Sequence, residues 1–371
     1  MVGAGQLPGR YSDDCAIAKN NRNESRLSHP MSPVLHNVLC GMNNLESLTW
    51  VSHLPFPCDM LDRLHSKFPS VRLVVKNMKR EGRCLDAKLL SSPQIHTVEI
   101  TIYKAADFPE SNELGFLKDY LSAGRSIKAL QLDIQPIGSL ETETCLASGP
   151  LNFNFIANDW FPPLEELKIQ STEYLLSLEH CQMWSQCMDW GELRKLDIGN
   201  TDFTHLIRVL TGQVPRLKSL TLGSHYWRRF FDQNYFEEDM LSLIEDFLCS
   251  IPALDAFTFK AFRKRDIMLV LPLIPRCLGS ELKSLSLLHD DDAFETSEFS
   301  TKEYVSIDFL GDLPQLESMK MKSGALQVQC QWPRGTDAIE KYSSLRNFFD
   351  REWKSHRSRR AFFDTGLDLF R

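Results

Sequence analysis

The chain has 371 residues, 43% of them hydrophobic and 25% charged, which is enough apolar material for a continuous core and too little bias for a disordered chain. A formal net charge of -7 argues against a binder of phosphate backbones, which needs a concentrated basic face, so nucleic acid is an unlikely partner. The N-terminus MVGAGQLPGR has no apolar signal core and no uncharged apolar run reaches membrane-spanning length, so no membrane association and a cytoplasmic or nuclear location are expected.

Taken in order, residues 1–33 are polar and without period, which predicts a disordered tail. From Val34 the pattern starts. VLHNVLCGMNN predicts a short amphipathic helix, and Leu45-Glu-Ser-Leu48-Thr-Trp50 then presents a six-residue phrase that is apolar at positions one, four and six. In an extended chain positions four and six fall on one face while position five points the other way. CDMLDRLHSKFPS has helical spacing ended by Pro69, and it leads into VRLVV at 71–75, a strand of ambiguous register.

The phrase returns from Ile95, Ile127, Leu164, Leu193, Leu217, Leu254, Leu282 and Leu316. With Val71 counted, the intervals run from 24 (71 to 95) to 37 (127 to 164), irregular but within reach of a strand-helix unit of about 30 residues. ELGFLKDYLSAG, YLLSLEHCQMWSQCM, FTHLIRVLTGQ, DMLSLIEDFLCS and DIMLVLPLIPRC carry apolar residues at three- and four-residue spacing between the copies. Strands separated by helices pair in parallel through right-handed crossovers. The predicted architecture is therefore an α/β solenoid of about ten strand-helix repeats over 34–330, its parallel sheet on the concave side. Residues 331–371 are charged and aromatic and are predicted to form a helical cap on its open end.

The series of phrases, with segments such as LHSKFPSVRLVV and PPLEELKIQS, resembles the irregular leucine-rich repeats of ribonuclease-inhibitor-like folds and, in particular, of fungal F-box-type proteins. That resemblance implies a protein-binding module, with substrate recognition for a cullin-RING ubiquitin ligase as its extension. Two departures bear on it. The position three residues after the sixth, where regular repeats place Asn or Cys, holds Thr201, His225 or Phe262. Residues 9–33 have no helical apolar stripe for an F-box, so docking on a cullin-RING adaptor would require such a module outside this sequence.

If positions four and six face the core, positions three, five and seven line the concave face, among them Lys168, Lys195, Asp197 and Lys260. A polar, small-residued face of mixed charge suits a broad protein partner, and it is equally what a solvated sheet would present. The loops HYWRRFF and FKAFRKR place Tyr226, Trp227, Arg228, Arg229, Arg263 and Arg265 along one post-strand edge, residue types that dominate interface hot spots. Phe230, Phe231 and Phe262 read equally as core filling. HDDDAFETSE at 289–298 lacks the spaced oxygen ligands of a calcium loop and reads as solvated acid.

No metal or cofactor site is expected. The ten cysteines include no C-x-x-C pair and read as small hydrophobes in a reducing compartment, and Cys181 and Cys187 with His180 read as one core-facing helix. Nucleophile-elbow, zincin and phosphate-loop motifs are all missing, so a non-enzymatic role is expected. The alternatives are a free-standing scaffold unrelated to ubiquitination, and a hydrolase or transferase whose site is assembled only in space.

Overall fold

The computed structural model describes residues 32–52, 56–77, 85–105, 113–137, 151–171, 174–223, 239–261, 264–279, 281–289, 311–323, 326–337, 339–341 and 343–345. The strands are β1 (Ser47–Val51), β2 (Arg72–Asn77), β3 (Ile95–Ala105), β4 (Ala129–Ile137), β5 (Glu166–Gln170), β6 (Lys195–Asp197), β7 (Ser219–Gly223), β8 (Ala256–Ala261), β9 (Ser284–His289), β10 (Ser318–Ser323) and β11 (Leu326–Gln331). They form one 11-stranded sheet in strict chain order. Every pair up to β9–β10 is parallel, so consecutive units coil in one direction and give a solenoid-like α/β array.

The helices are α1 (Ser32–Gly41), α2 (Cys58–Lys67), α3 (Ala87–Leu90), α4 (Glu113–Gly124), α5 (Leu178–Cys187), α6 (Thr204–Leu210), α7 (Asp239–Cys249), α8 (Lys264–Val270) and α9 (Leu273–Leu278). Caps set several of their starts: Asp86 accepts from the Leu89 amide at the start of α3, and Ser177 from the His180 amide at the start of α5. Successive helices pack on one another, α5 on α6, α6 on α7 and α7 on α9, covering one face of the sheet.

The phrase explains the core. Its fourth positions stand in register across the sheet as Val98, Leu130, Leu167, Leu196, Leu220, Phe257, Leu285 and Met319. None is more than 1% exposed. The backbone repeats with the same regularity. The carbonyl of position two in one copy accepts the amides of positions two and three in the next: Lys128 O from Glu165 and Glu166, Glu165 O from Arg194 and Lys195, Arg194 O from Lys218 and Ser219, and onwards to Lys283 O from Glu317 and Ser318. Above that rim the side chains of Arg194 and Glu165, and of Lys283 and Asp255, pair by charge.

Four expectations are refined. In β2 the core residues are Leu73 and Val75, with Val74 on the other face and a bulge after Leu73, which settles the register left ambiguous at 71–75. DIMLVLPLIPRC is two helices, because Pro272 has no amide to continue α8. Between β4 and β5 the described residues 151–165 form no helix. The C-terminal edge is closed first by β11, antiparallel to β10, with Trp332 buried behind it; short helical stretches at 339–341 and 343–345 follow, burying Lys341 and Leu345. The predicted tail up to residue 31 and the cap beyond 345 lie outside the described residues.

Candidate interaction face of the sheet

The face of the sheet opposite the helices is built by positions three, five and seven, which alternate as half-exposed residues with the buried core positions in β8 and β9; in β7 positions three and five do so while position seven, Gly223, is buried. Its centre is small and polar: Ser219 and Thr221 on β7, Ala256 and Thr258 on β8, Ser284 and Ser286 on β9. Polar side chains link neighbouring strands across it, with Gln131 donating to Gln170 at 3.2 Å, Ser318 to Ser284 at 2.9 Å, and Lys76 paired with Glu99 at 2.8 Å.

All four residues predicted for this face lie on it. Lys195 pairs with Glu166 on β5 at 3.5 Å, and both are half exposed, so the pair is worth little. Asp197 and Lys260, two strands apart, pair at 3.7 Å with side chains only 16% and 23% exposed. Lys260 reaches across β7 because that strand carries Gly223 at the paired level, and the far end of its side chain lies over Gly199, where an added Cβ would meet Cδ at 2.8 Å. A Cβ at Gly223 would in turn run into the Gly199 carbonyl. The two glycines clear the path, and the Gly199 amide adds a hydrogen bond to Asp197 at 3.2 Å. Lys168, together with Lys320 on β10, is half-buried on this face and has no ion-pair partner among the described residues.

The edge residues are a different matter. Tyr226, Trp227, Arg228, Arg229 and Arg263 lie outside the described residues, as do Phe230, Phe231, Phe262 and the acidic 290–298, while Arg265 falls within α8. Of the three positions that replace the regular repeats' Asn, only Thr201 is described. It is fully buried and its hydroxyl donates to the Ser171 carbonyl of the preceding unit at 2.8 Å, which ties the two units together.

His180, Cys181 and Cys187 face the core, packed among Phe153, Phe155, Tyr174 and Trp184. Burial pushes the Cys181 thiol up to about 12 and His180 down to about 4, so the thiol stays protonated and the imidazole neutral, the reverse of an activated nucleophile.

Two features escaped sequence reasoning. The glycine-cleared path under Lys260 depends on cross-strand register that no linear pattern carries. The second is a disulfide between Cys249 at the end of α7 and Cys277 in α9, Cα atoms 4.7 Å apart and 28 residues apart in sequence. It corrects the reading of every cysteine as an isolated small hydrophobe. The only linear hint is that Glu245 and Cys249 share one face of α7. Among the described residues no helix is long and apolar enough to cross a membrane. No family model matches the chain, and none of the curated proteins matches its sequence.

Proposed function

We propose that the chain is a non-enzymatic protein-binding module, an irregular leucine-rich-repeat solenoid that takes a partner across the open face of its sheet. One observation carries this reading: a largely polar face on the sheet, with no helix over it among the described residues, on a scaffold whose other face is packed from β2 to β10. Rigid strands holding half-exposed polar groups at fixed spacing suit recognition of an extended surface. The cations that the face does not itself neutralise, Lys168 and Lys320, are where it would read charge. The deep burial of His180 and Cys181 runs against a catalytic role for that pair. A cytoplasmic or nuclear setting belongs to the same reading.

The test is partner capture by proximity labelling with the full chain, repeated with Lys168→Glu and Lys320→Glu combined. Capture should fall at least tenfold while the melting curve stays within a degree or two of wild type, since both positions are half-exposed and unpaired. Unchanged capture would remove the face as the site and return attention to Trp227 and Arg228, whose double alanine variant is the matching probe.

A second reading, substrate recognition for a cullin-RING ligase, is favoured by one observation. The first unit shows apolar side chains to solvent, Val34 (55%) and Val38 (47%) on α1, Met42 (38%) just after it and Val51 (71%) on β1, a surface that a neighbouring module would cover. Recovery of a cullin-RING adaptor with the full chain, lost on Val34→Asp with Val38→Asp, would support that role. Capture of partners without any adaptor leaves a free-standing scaffold.

A further inference from the structure

Away from the open face, Glu245, Cys249 and Cys277 form a compact donor cluster on the helical side. Glu245 and Cys249 are four residues apart on α7 and so lie one above the other on the same helix face. Cys277 comes from α9, the helix of the next unit packed against α7. The carboxylate oxygen and both sulfurs lie within 4.8 Å of one another. Arg276, beside Cys277, pairs with the Glu245 carboxylate. In this structure the two sulfurs are joined as a disulfide.

We propose that this cluster, once reduced, binds a soft divalent cation, with Zn2+ the best match, through the thiolates of Cys249 and Cys277 and the carboxylate of Glu245. Two thiolates select zinc over calcium or magnesium, and three protein ligands leave the fourth tetrahedral position to water. Tetrahedral coordination needs ligand atoms about 3.5 to 3.8 Å apart, which rotation of the exposed Cys249 side chain supplies once the sulfurs part. Reduction requires a dithiol reductant. Its thiolate attacks one sulfur, the other leaves as a thiolate, and the reductant's second thiol resolves the mixed disulfide, so two electrons pass to the protein and the reductant ends oxidised. Zinc then displaces the remaining thiol protons. The same two cysteines thus hold either a covalent staple or an ion between consecutive units, as the compartment's redox state dictates.

The test uses the full chain reduced with a phosphine and titrated with Co2+. The expected result is one Co2+ per chain with thiolate-to-cobalt charge-transfer absorption and tetrahedral ligand-field bands, displaced by Zn2+ and not seen in the oxidised chain. Cys249→Ser and Cys277→Ser should each abolish the signal, and Glu245→Gln should weaken binding at least tenfold. In the wild type, Zn2+ should slow alkylation of Cys249 and Cys277, read peptide by peptide, more than tenfold, which keeps the test independent of any variant's folding. Absence of binding by the reduced wild type, binding that survives loss of both cysteines, or an unaltered affinity in Glu245→Gln would each overturn the site.

Discussion

Lys260 reaches Asp197 only because the strand between them carries no side chain at that level. The glycines are therefore as much a part of the pair as the charges, and a methyl group at either is expected to be felt. Gly223→Ala sets a Cβ against the Gly199 carbonyl, a backbone atom that cannot swing aside, so the strands must separate locally. Overpacking of this kind costs roughly 1 to 3 kcal/mol, and thermal denaturation should show a melting temperature lowered by several degrees. Gly199→Ala meets only the flexible end of Lys260 and should cost less. An equal effect of the two substitutions would contradict this geometry. The pair itself, less than a quarter exposed on either side, should show a coupling energy of about 1 kcal/mol in a cycle of Lys260→Met and Asp197→Asn. None of this was legible in the sequence. Lys195, Asp197 and Lys260 were placed on the right face by alternation alone, but which charge meets which depends on register between strands two apart.

Between β4 and β5 the described residues 151–165 carry no helix. Phe153, Phe155 and Phe161 fill the space beside α5, and Asn154 and Asn158 take positive φ angles of 50° and 74°, a conformation Asn tolerates better than most residues. Lys118 on α4 holds Asp159 at 2.6 Å, and Asp159 in turn accepts from the Ile156 amide at 2.9 Å. Into this aromatic packing α5 inserts His180, whose Nε2 shares a hydrogen bond with the Tyr174 hydroxyl at 3.0 Å. Protonation would charge a buried ring, and desolvation accordingly lowers the folded pKa from 6.5 to about 4. Between those two values the unfolded chain binds the extra proton. The stabilisation from a neutral His180 is thus fully present above about pH 6.5, is lost progressively as pH falls towards 4, and levels off below. The total is on the order of 3 kcal/mol. Denaturant melts between pH 4 and 7 should show this slope, and His180→Phe should flatten it; a slope that survives the substitution belongs to other groups. The elements that were legible owe it to strong periodicity. All ten phrases became parallel strands, nine of them on the alternation of positions four and six with outward-facing residues and the copy at 71 in the shifted register, and ELGFLKDYLSAG matches α4 from end to end. What stayed hidden had weaker signals. In β11 Leu326, Val328 and Cys330 alternate with glutamines, without the i, i+3, i+5 phrase of the parallel rungs, because a strand that returns antiparallel needs no helix before it.

For the molecule as a whole, the units from β5 to β9 touch mainly their neighbours, through one rung of core, one bifurcated backbone carbonyl and one helix contact. Stability in such an array is close to a sum of unit and interface terms, so where a unit is broken matters as much as how badly. The two ends differ. At the C-terminal end β11 pairs with β10 and Trp332 donates its amide to the Glu317 carbonyl, the acceptor that elsewhere serves the next unit. At the other end β1 is the outermost strand, and Leu48 is only partly buried. Leu220 sits at the middle, fully buried and paired between Leu196 and Phe257. Leu220→Asp buries an unpaired carboxylate there and should cost several kcal/mol, uncoupling the units on both sides. Leu48→Asp places the same charge where water and only one neighbouring rung are at hand, and should fray the first unit while the rest melts as before. Hydrogen exchange read by mass spectrometry separates the two outcomes: protection should collapse across β6 to β8 in the first variant and only across β1 and β2 in the second. If Leu220→Asp instead leaves β6 to β8 protected and melts like the wild type, then position four does not face a shared core, and the register that assigns Lys168, Lys195, Asp197 and Lys260 to the open face falls with it.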